Sequence, residues 1–198
     1  MTYGMNLILA AFGSAQTVFG IYFKLQSFVF MPVFGLNNGM VPIIAYNYGA
    51  GHKDRVIKTI KHSVAYGVGI MFVGLLAMHI FPAQLMRMFD AEESLIAIGA
   101  PALETISLSF VFAGFCIVAG SVFQALGNGV YSMIVSVARQ MCVLLPVAKL
   151  LSLSGEVTLI WWAFPIAELA SVLLTSYFLV RIYRKVICHI GEPVVQDA

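Results

Sequence analysis

Long stretches without a charged side chain constrain this sequence more than any motif does. Uncharged runs of 24 residues between His62 and Arg87, 27 between Lys24 and His52, and 34 between Glu104 and Arg139 recur along the chain. A helix needs about 20 mostly apolar residues to cross the hydrocarbon core of a bilayer. Charged residues make up only 10% of the chain, whereas a soluble domain has about 25%. The sequence therefore predicts a polytopic membrane protein.

The bilayer also limits the kind of secondary structure. Backbone groups in hydrocarbon must be paired within the protein, which leaves helices and closed barrels. The apolar runs are continuous and lack the alternating polarity of barrel strands, so we expect an all-α fold. One helical bundle is predicted at 13–186, after the end of a truncated transmembrane helix at 1–12 and before a cytoplasmic tail at 187–198. Its five spans are predicted at about 15–46, 55–81, 94–126, 130–151 and 157–185.

The first predicted span carries residues that are unusual in a helix facing lipid. They are two prolines, two glycines in a GxxxG spacing and two asparagines: Pro32, Pro42, Gly35, Gly39, Asn37 and Asn38. Backbone groups freed by proline are tolerated in a membrane where neighbouring helices or a cavity satisfy them. Small residues also let helices approach closely. We therefore expect a kinked helix that faces protein or a cavity.

Basic residues predict the orientation of the bundle. They cluster in two regions, Lys53, Arg55, Lys58 and Lys61 in the first and Arg181, Arg184 and Lys185 in the second. The loop at 83–93 is net acidic. Counting the spans puts both basic regions on one side, which the positive-inside rule makes cytoplasmic. The C-terminus is thus predicted to be cytoplasmic.

Apart from the two basic clusters, five Asp, Glu, Lys or Arg residues fall inside predicted spans: Lys24, Glu104, Arg139, Lys149 and Glu168. Each costs about 3 kcal/mol or more at the bilayer centre and so marks a candidate site. A rise of about 1.5 Å per residue puts Arg139 and Glu168 at comparable depth on consecutive antiparallel helices. A structural ion pair or polar cluster is one interpretation of these two residues, and a role in gating or ion coupling is the other. Lys149, near a helix end, is expected to snorkel.

The remaining polar residues allow two interpretations as well. Lys24 and Glu104 share the outer half of the membrane and could form a structural pair. Alternatively, Glu104 lies in a central cavity and exchanges a proton against a cationic substrate. Asn37, Asn38 and Gln124 either line such a cavity or form hydrogen bonds between helices.

Other function classes find no support in the sequence. Cys116, Cys142 and Cys188 have no CxxC or Cys/His spacing, which argues against a metal site or a disulfide. HExxH and GxSxG motifs are absent, so we predict neither an enzyme nor a cofactor. The net charge of +2 is small and scattered, which argues against nucleic acid as a partner.

Short motifs on successive spans carry a family resemblance. The residues from Met31 to Gly51 fit the pattern MPxxGLxxGxxPIxxxNxGAG. Further motifs are Phe123-Gln124-Ala125-Leu126-Gly127, Arg139-Gln140 followed by Leu145-Pro146, and Trp162-Ala163-Phe164-Pro165 before Glu168. In this order and spacing they resemble the second lobe of the multidrug and toxic compound extrusion (MATE) family, over about residues 6–185.

The resemblance implies a fold and an activity. Family members have two six-helix lobes around a central cavity, and this chain would contain the end of helix 7 and helices 8 to 12. The implied function is antiport, in which an organic cation, drug or other amphipathic compound leaves while H⁺ or Na⁺ enters. Asn6 falls where the family often has an asparagine. Some Na⁺-coupled members have an aspartate near the position of Ala113, so the coupling ion stays unassigned.

Because the resemblance covers only the second lobe of the family, it leaves alternative functions open and implies particular partners. A non-transporting membrane subunit, a truncated relic, or a lipid-linked precursor flippase of the same superfamily are the alternative functions. The expected partners are the lipid bilayer, small organic substrates, H⁺ or Na⁺, and either the missing N-terminal lobe in cis or a homodimer partner. The partial first helix favours a fragment over a half-transporter. A bacterial inner membrane is the expected location.

Overall fold

A computed structural model of the chain describes residues 2–191, and every regular element in that range is helical. Met1 and most of the tail predicted at 187–198 lie outside the described residues. The helices are α1 (Thr2–Leu9), α2 (Ala15–Gly49), α3 (Lys53–Ile80), α4 (Pro82–Arg87), α5 (Glu93–Ser107), α6 (Phe110–Ala125), α7 (Gly129–Val137), α8 (Leu145–Ser152), α9 (Val157–Ile160) and α10 (Ala163–Lys185). The all-α fold class predicted from the sequence is confirmed.

Four helical runs in the described part of the chain are long and apolar enough to cross a membrane: Ala15–Gly49, Lys53–Ile80, Gly129–Ser152 and Val157–His189. Helices α5 and α6 together make a fifth, although they are bent by 47° relative to each other. These runs match the predicted number of about five full spans. The short helix α1 precedes them.

Two serines lie at the bend between α5 and α6. The Ser107 hydroxyl donates to the carbonyl of Glu104 at 2.9 Å, and the Ser109 hydroxyl donates to the carbonyl of Ile106 at 2.6 Å. Such bonds satisfy backbone acceptors where a helix is interrupted in an apolar environment. The predicted span at 94–126 is therefore two helices that meet at Leu108 and Ser109.

Helix α2 is helical throughout its 35 residues, including Pro32 and Pro42. The irregularity expected at these prolines therefore does not break the helix. Its buried side packs against α3 and α6, whereas Gly35 and Gly39 lie on its exposed side.

A π-helical segment, Ala138–Leu144, joins α7 to α8. Pro146 has no N–H with which to bond the Cys142 carbonyl four residues earlier, so one α-helical hydrogen bond is missing at the end of this segment. A π turn adds a residue and rotates the side chains that follow. Arg139 lies in this segment, which packs against α10.

The two ends that carry the basic clusters meet on one side of the bundle. Lys53 Nζ donates to the backbone oxygen of Cys188 at 2.9 Å. A Cβ placed on Gly191 would lie 3.0 Å from the carbonyl oxygen of Gly51, so the two backbones are in close contact. The α2–α3 loop and the end of α10 therefore lie together, as the count of spans predicted.

Candidate functional site

The π-helical segment and α10 bring together two charged residues in the interior of the bundle. Arg139 Nη1 donates to Glu168 Oε1 in a charge-assisted hydrogen bond. The Glu168 side chain is 8% exposed and that of Arg139 is 27% exposed. Two opposite charges in an apolar interior stabilise each other only while they remain paired, because each is costly to bury alone.

The Glu168 carboxylate is only half satisfied by protein. Its Oε2 is buried and has no hydrogen-bond partner among residues 2–191. The same holds for Asn37 Oδ1, Gln26 Oε1 and Ser171 Oγ. Buried polar atoms are usually hydrogen-bonded, so this group of unpartnered atoms marks the region as a candidate binding site.

A first cavity, of about 380 Å³, is lined by Arg139. We call it the polar cavity because, besides Arg139, amide, hydroxyl and thiol groups from α2, α6, α7 and α10 line it: Asn37, Asn38, Cys116, Ser121, Gln124, Ser132, Ser136, Ser171 and Thr175. Within it, Gln124 Nε2 donates to Ser132 Oγ at 3.1 Å. Three of the residues proposed from the sequence, Asn37, Asn38 and Gln124, therefore share this wall.

A second cavity, of about 520 Å³, is lined by both residues of the pair. We call it the aromatic cavity because five aromatic rings line it: Tyr22, Phe23, Phe30, Phe34 and Phe164. The rings of Tyr22 and Phe164 meet edge to face with centroids 5.8 Å apart. Its polar groups include Gln26 and Glu168.

Three residues line both cavities, and Arg139 is the charged one among them. The other two are Phe34 of α2 and Ile117 of α6. Because its guanidinium is held by Glu168, the ion pair forms part of the boundary between a polar and an aromatic compartment. A change in this pair would alter the lining of both.

Lys24 and Glu104 do not form the pair that their predicted depths allowed. The ammonium group of Lys24 lies 5.7 Å from the ring centroid of Phe89, as in a cation–π contact. Neither residue makes an ion pair within residues 2–191, and neither lines the polar or the aromatic cavity. Both therefore lie apart from the candidate site around Arg139 and Glu168.

Sequence reasoning missed several polar residues of the site. Ser171 and Thr175 follow Glu168 by three and seven positions on α10, so all three lie on one face of that helix. Thr175 Oγ1 lies 3.7 Å from Cys116 Sγ and donates a weak hydrogen bond to it. A polar stripe at helical spacing in an otherwise apolar helix was the signal that could have identified them.

Metal ligands do not gather anywhere in the described part of the chain. Residues 2–191 contain no group of three or more His, Cys, Asp or Glu side chains that could hold a metal ion. The functional groups of the site, among the described residues, are therefore one ion pair, neutral polar groups and aromatic rings.

Comparisons with known proteins agree with this architecture. The MatE family model matches residues 4–150. The multidrug export protein MepA of Staphylococcus haemolyticus (strain JCSC1435) is 26% identical over 182 residues, which is 91% of this chain and 40% of that protein. MepA of Staphylococcus aureus (strain MW2) is 28% identical over 166 residues, 83% of this chain and 36% of that protein. The chain thus spans about two fifths of the length of these relatives.

Solved structures of MATE transporters are also similar to this chain. The MATE multidrug transporter DinF-BH is 32% identical with a TM-score of 0.79, covering 90% of this chain and 41% of that one. The Vibrio cholerae MATE transporter VcmN, in its bent form, shares the fold with a TM-score of 0.86 at 17% identity, covering 94% of this chain and 43% of that one. The chain therefore belongs to the MatE family, the multidrug and toxic compound extrusion transporters.

Proposed function

We propose that this chain provides one half of the translocation pathway of a cation-coupled exporter of organic cations, drugs or other amphipathic compounds. The observation that carries the proposal is the Arg139–Glu168 pair between the polar and the aromatic cavity, with Glu168 Oε2 left without a protein partner among the described residues. Ionisable residues inside membrane spans typically mark substrate or ion pathways. The names of the relatives, multidrug export protein and MATE multidrug transporter, support the same class.

Glu168 is the residue we assign to ion coupling. A proton can bind Oε2 while Oε1 keeps its contact with Arg139. Protonation removes the negative charge, so the hydrogen bond from Arg139 is no longer charge-assisted on both sides and weakens. Proton uptake then changes the lining of both cavities. A bound ion can shift a protein between two states only if it interacts differently with each of them, and this change in lining supplies such a difference.

The proton is the coupling ion that this geometry favours. One unpartnered carboxylate oxygen is sufficient to hold a proton, whereas a hard metal cation typically takes several oxygen ligands. Ala113 also lines the aromatic cavity, near the position where the family resemblance puts the aspartate of some Na⁺-coupled members. In this half of the transporter, Glu168 supplies the carboxylate that Ala113 does not.

The aromatic cavity is the proposed site for part of the substrate. Its volume of about 520 Å³ falls within the usual range of about 300–1,000 Å³ for small-molecule pockets. Aromatic faces attract lipophilic cations, and Glu168 adds a negative charge when Arg139 moves away. A lipophilic cation would therefore meet apolar faces and a carboxylate in one compartment.

The second half of the pathway must come from another lobe. An alternating-access transporter moves two bundles around a shared site, and this chain spans only about 40% of its relatives. We propose that an N-terminal lobe in cis completes the pathway, with a homodimer as the alternative. Asn38 and Gln124, which are exposed on the wall of the polar cavity, are then positioned toward the shared space. The proposed location is a bacterial inner membrane with the C-terminus in the cytoplasm.

A transport assay on the full-length protein tests this proposal. Inverted vesicles are given ethidium, a fluorescent lipophilic cation, and dye movement is followed under an imposed pH gradient, with and without Na⁺. We expect pH-driven transport that Glu168→Gln reduces at least about 10-fold, a conservative scale for loss of a proton-transferring group. Glu104→Gln is the matched control, because Glu104 lines neither cavity.

Three outcomes would contradict the proposal. Transport that depends on Na⁺ and is unchanged in Glu168→Gln would reject the coupling assignment. A properly folded protein that moves no amphipathic cation would favour a non-transporting subunit, a relic or a lipid-linked precursor flippase. A wild-type level of transport in Glu168→Gln together with a loss in Glu104→Gln would move the site to Glu104.

A further inference from the structure

A groove of about 680 Å³ runs between α2 and α3, and none of its lining residues lines the polar or the aromatic cavity. Its α2 side extends from Gly35 to Asn47, a length of about 18 Å at 1.5 Å per residue. A methyl group added to Gly35 or Gly39 would meet no atom of the described chain within 4 Å. The two glycines therefore leave open space along this side of α2.

The α2 wall of the groove is mostly apolar, whereas polar side chains, including Thr59, His62 and Ser63, line its α3 wall, which is basic at one end. Leu36, Met40 and Ile43 line it from α2, whereas Arg55 and Lys58 line it from the first turns of α3. Arg55 and Lys58 are three positions apart, so they share a helix face. Neither makes an ion pair within residues 2–191.

A histidine completes the basic end. His62 follows Lys58 by four residues and lines the same groove. Its Nδ1–H donates to the Lys58 carbonyl at 2.7 Å, which places the ring beside Lys58. Asp54 carries the nearest negative charge in sequence but does not line the groove.

We propose that this groove binds one anionic phospholipid, with the phosphate against Arg55 and Lys58 and an acyl chain along Gly35 and Gly39. The basic end lies next to the α2–α3 loop, where a lipid headgroup would lie, and the apolar part extends into the depth of the membrane. Basic side chains at this level attract anionic lipids. A soluble phosphate would leave the apolar length uncovered, so the geometry points to a lipid.

Native mass spectrometry tests this proposal on the purified full-length protein in mild detergent. The protein is delipidated and then incubated with phosphatidylglycerol or with phosphatidylcholine of the same acyl chains. We expect one phosphatidylglycerol to be retained in preference to phosphatidylcholine. Arg55→Gln/Lys58→Gln should lower phosphatidylglycerol retention at least about 10-fold, because two attractive charges are lost.

Two further variants separate charge from shape. Lys61→Gln removes an equal charge from the same helix, but Lys61 does not line the groove, so retention should stay at the wild-type level. Gly39→Leu changes no charge and blocks the groove, so it should lower phosphatidylglycerol retention as well. If the double variant does not fold, Gly39→Leu alone tests whether the lipid binds in this groove.

The proposal would be overturned by equal retention of the two lipids, or by a loss in Lys61→Gln as large as in the double variant. Wild-type retention in Gly39→Leu would place the lipid elsewhere on the protein. Displacement of the lipid by millimolar inorganic phosphate would show that a soluble anion is the true ligand. None of these outcomes depends on transport, so failure here is distinct from failure of the proposed function.

Discussion

Glu168 and Thr175 lie on one face of α10, seven residues apart, yet they line two different cavities that share Arg139. Glu168 lines the aromatic cavity and Thr175 the polar cavity. Seven residues correspond to two helical turns, or about 10 Å. One helix face therefore extends along both compartments, and a rotation of α10 would change the two linings together.

The first prediction concerns the energetics of the ion pair. Glu168→Ala leaves the Arg139 charge unpaired in a largely buried position, which should lower the free energy of unfolding by about 3–5 kcal/mol. Arg139→Met/Glu168→Leu removes both charges and keeps much of the volume, so it should be more stable than Glu168→Ala. Unfolding in detergent, measured for Arg139→Met, Glu168→Leu and Arg139→Met/Glu168→Leu, gives the coupling between the residues. A double variant as unstable as the sum of its single changes would contradict the prediction.

The second prediction tests whether Asn37 affects transport through the lining of the polar cavity. Asn37 is 7% exposed, and its Oδ1 has no partner in the described chain. Asn37→Leu removes an unsatisfied buried acceptor, which should leave stability unchanged or raise it by about 1 kcal/mol. Transport of ethidium should nevertheless fall, because the polar wall of the cavity loses an amide.

Asn47 offers a matched control on the same helix. It is 8% exposed, and its Oδ1 is likewise unpartnered within residues 2–191, but it lines the α2–α3 groove instead of the polar cavity. Asn47→Leu should therefore keep wild-type transport of ethidium. An equal loss of transport in both variants would indicate a general effect on α2.

The third prediction tests the packing of α3 against α6. A Cβ on Gly114 would lie 2.8 Å from Met71 Cγ and 3.0 Å from the carbonyl oxygen of Gly67. Because a backbone atom cannot easily move aside, Gly114→Ala should destabilise the bundle by about 1–3 kcal/mol.

Gly69 is the control for that change, because a Cβ there meets nothing within 4 Å. Gly69→Ala should be neutral or stabilise the protein by up to about 1 kcal/mol, since alanine favours the helix. Thermal unfolding of the two variants, side by side, checks both expectations. A similar melting shift for both would mean that close packing at Gly114 is unimportant.

The class of fold could be predicted from the sequence because the bilayer imposes it. The uncharged run of 34 residues between Glu104 and Arg139 must be helical in hydrocarbon, and the all-α fold with about five spans follows. The bend at Leu108 and Ser109 could not be predicted in this way. Serine hydroxyls either cap a helix break or bond back within an intact helix, and only the packing around them selects between the two.

The candidate site was predictable in part for the same kind of reason. Arg139 and Glu168 stand out because charge is rare inside spans, and helical rise is enough to compare their depths. Lys24 and Glu104 have equally comparable depths but do not pair, because depth leaves the direction of each side chain around its helix unknown. The π-helical segment changes that direction for Arg139, and nothing in the local residue pattern except Pro146 indicates it.

The last prediction concerns orientation, for which Lys53 and Cys188 give a direct test. The bond from Lys53 Nζ to the Cys188 carbonyl puts Cys188 at the end of the bundle that carries both basic clusters, which the positive-inside rule assigns to the cytoplasm. A membrane-impermeant maleimide should therefore label Cys188 in inverted vesicles but not in right-side-out ones.

Cys142→Ser removes the other accessible thiol, while Cys116 is buried. Ser94→Cys, at the exposed start of α5, should label with the opposite preference. Labelling of both sites from the same side would reject the predicted topology, since an odd number of spans must separate them.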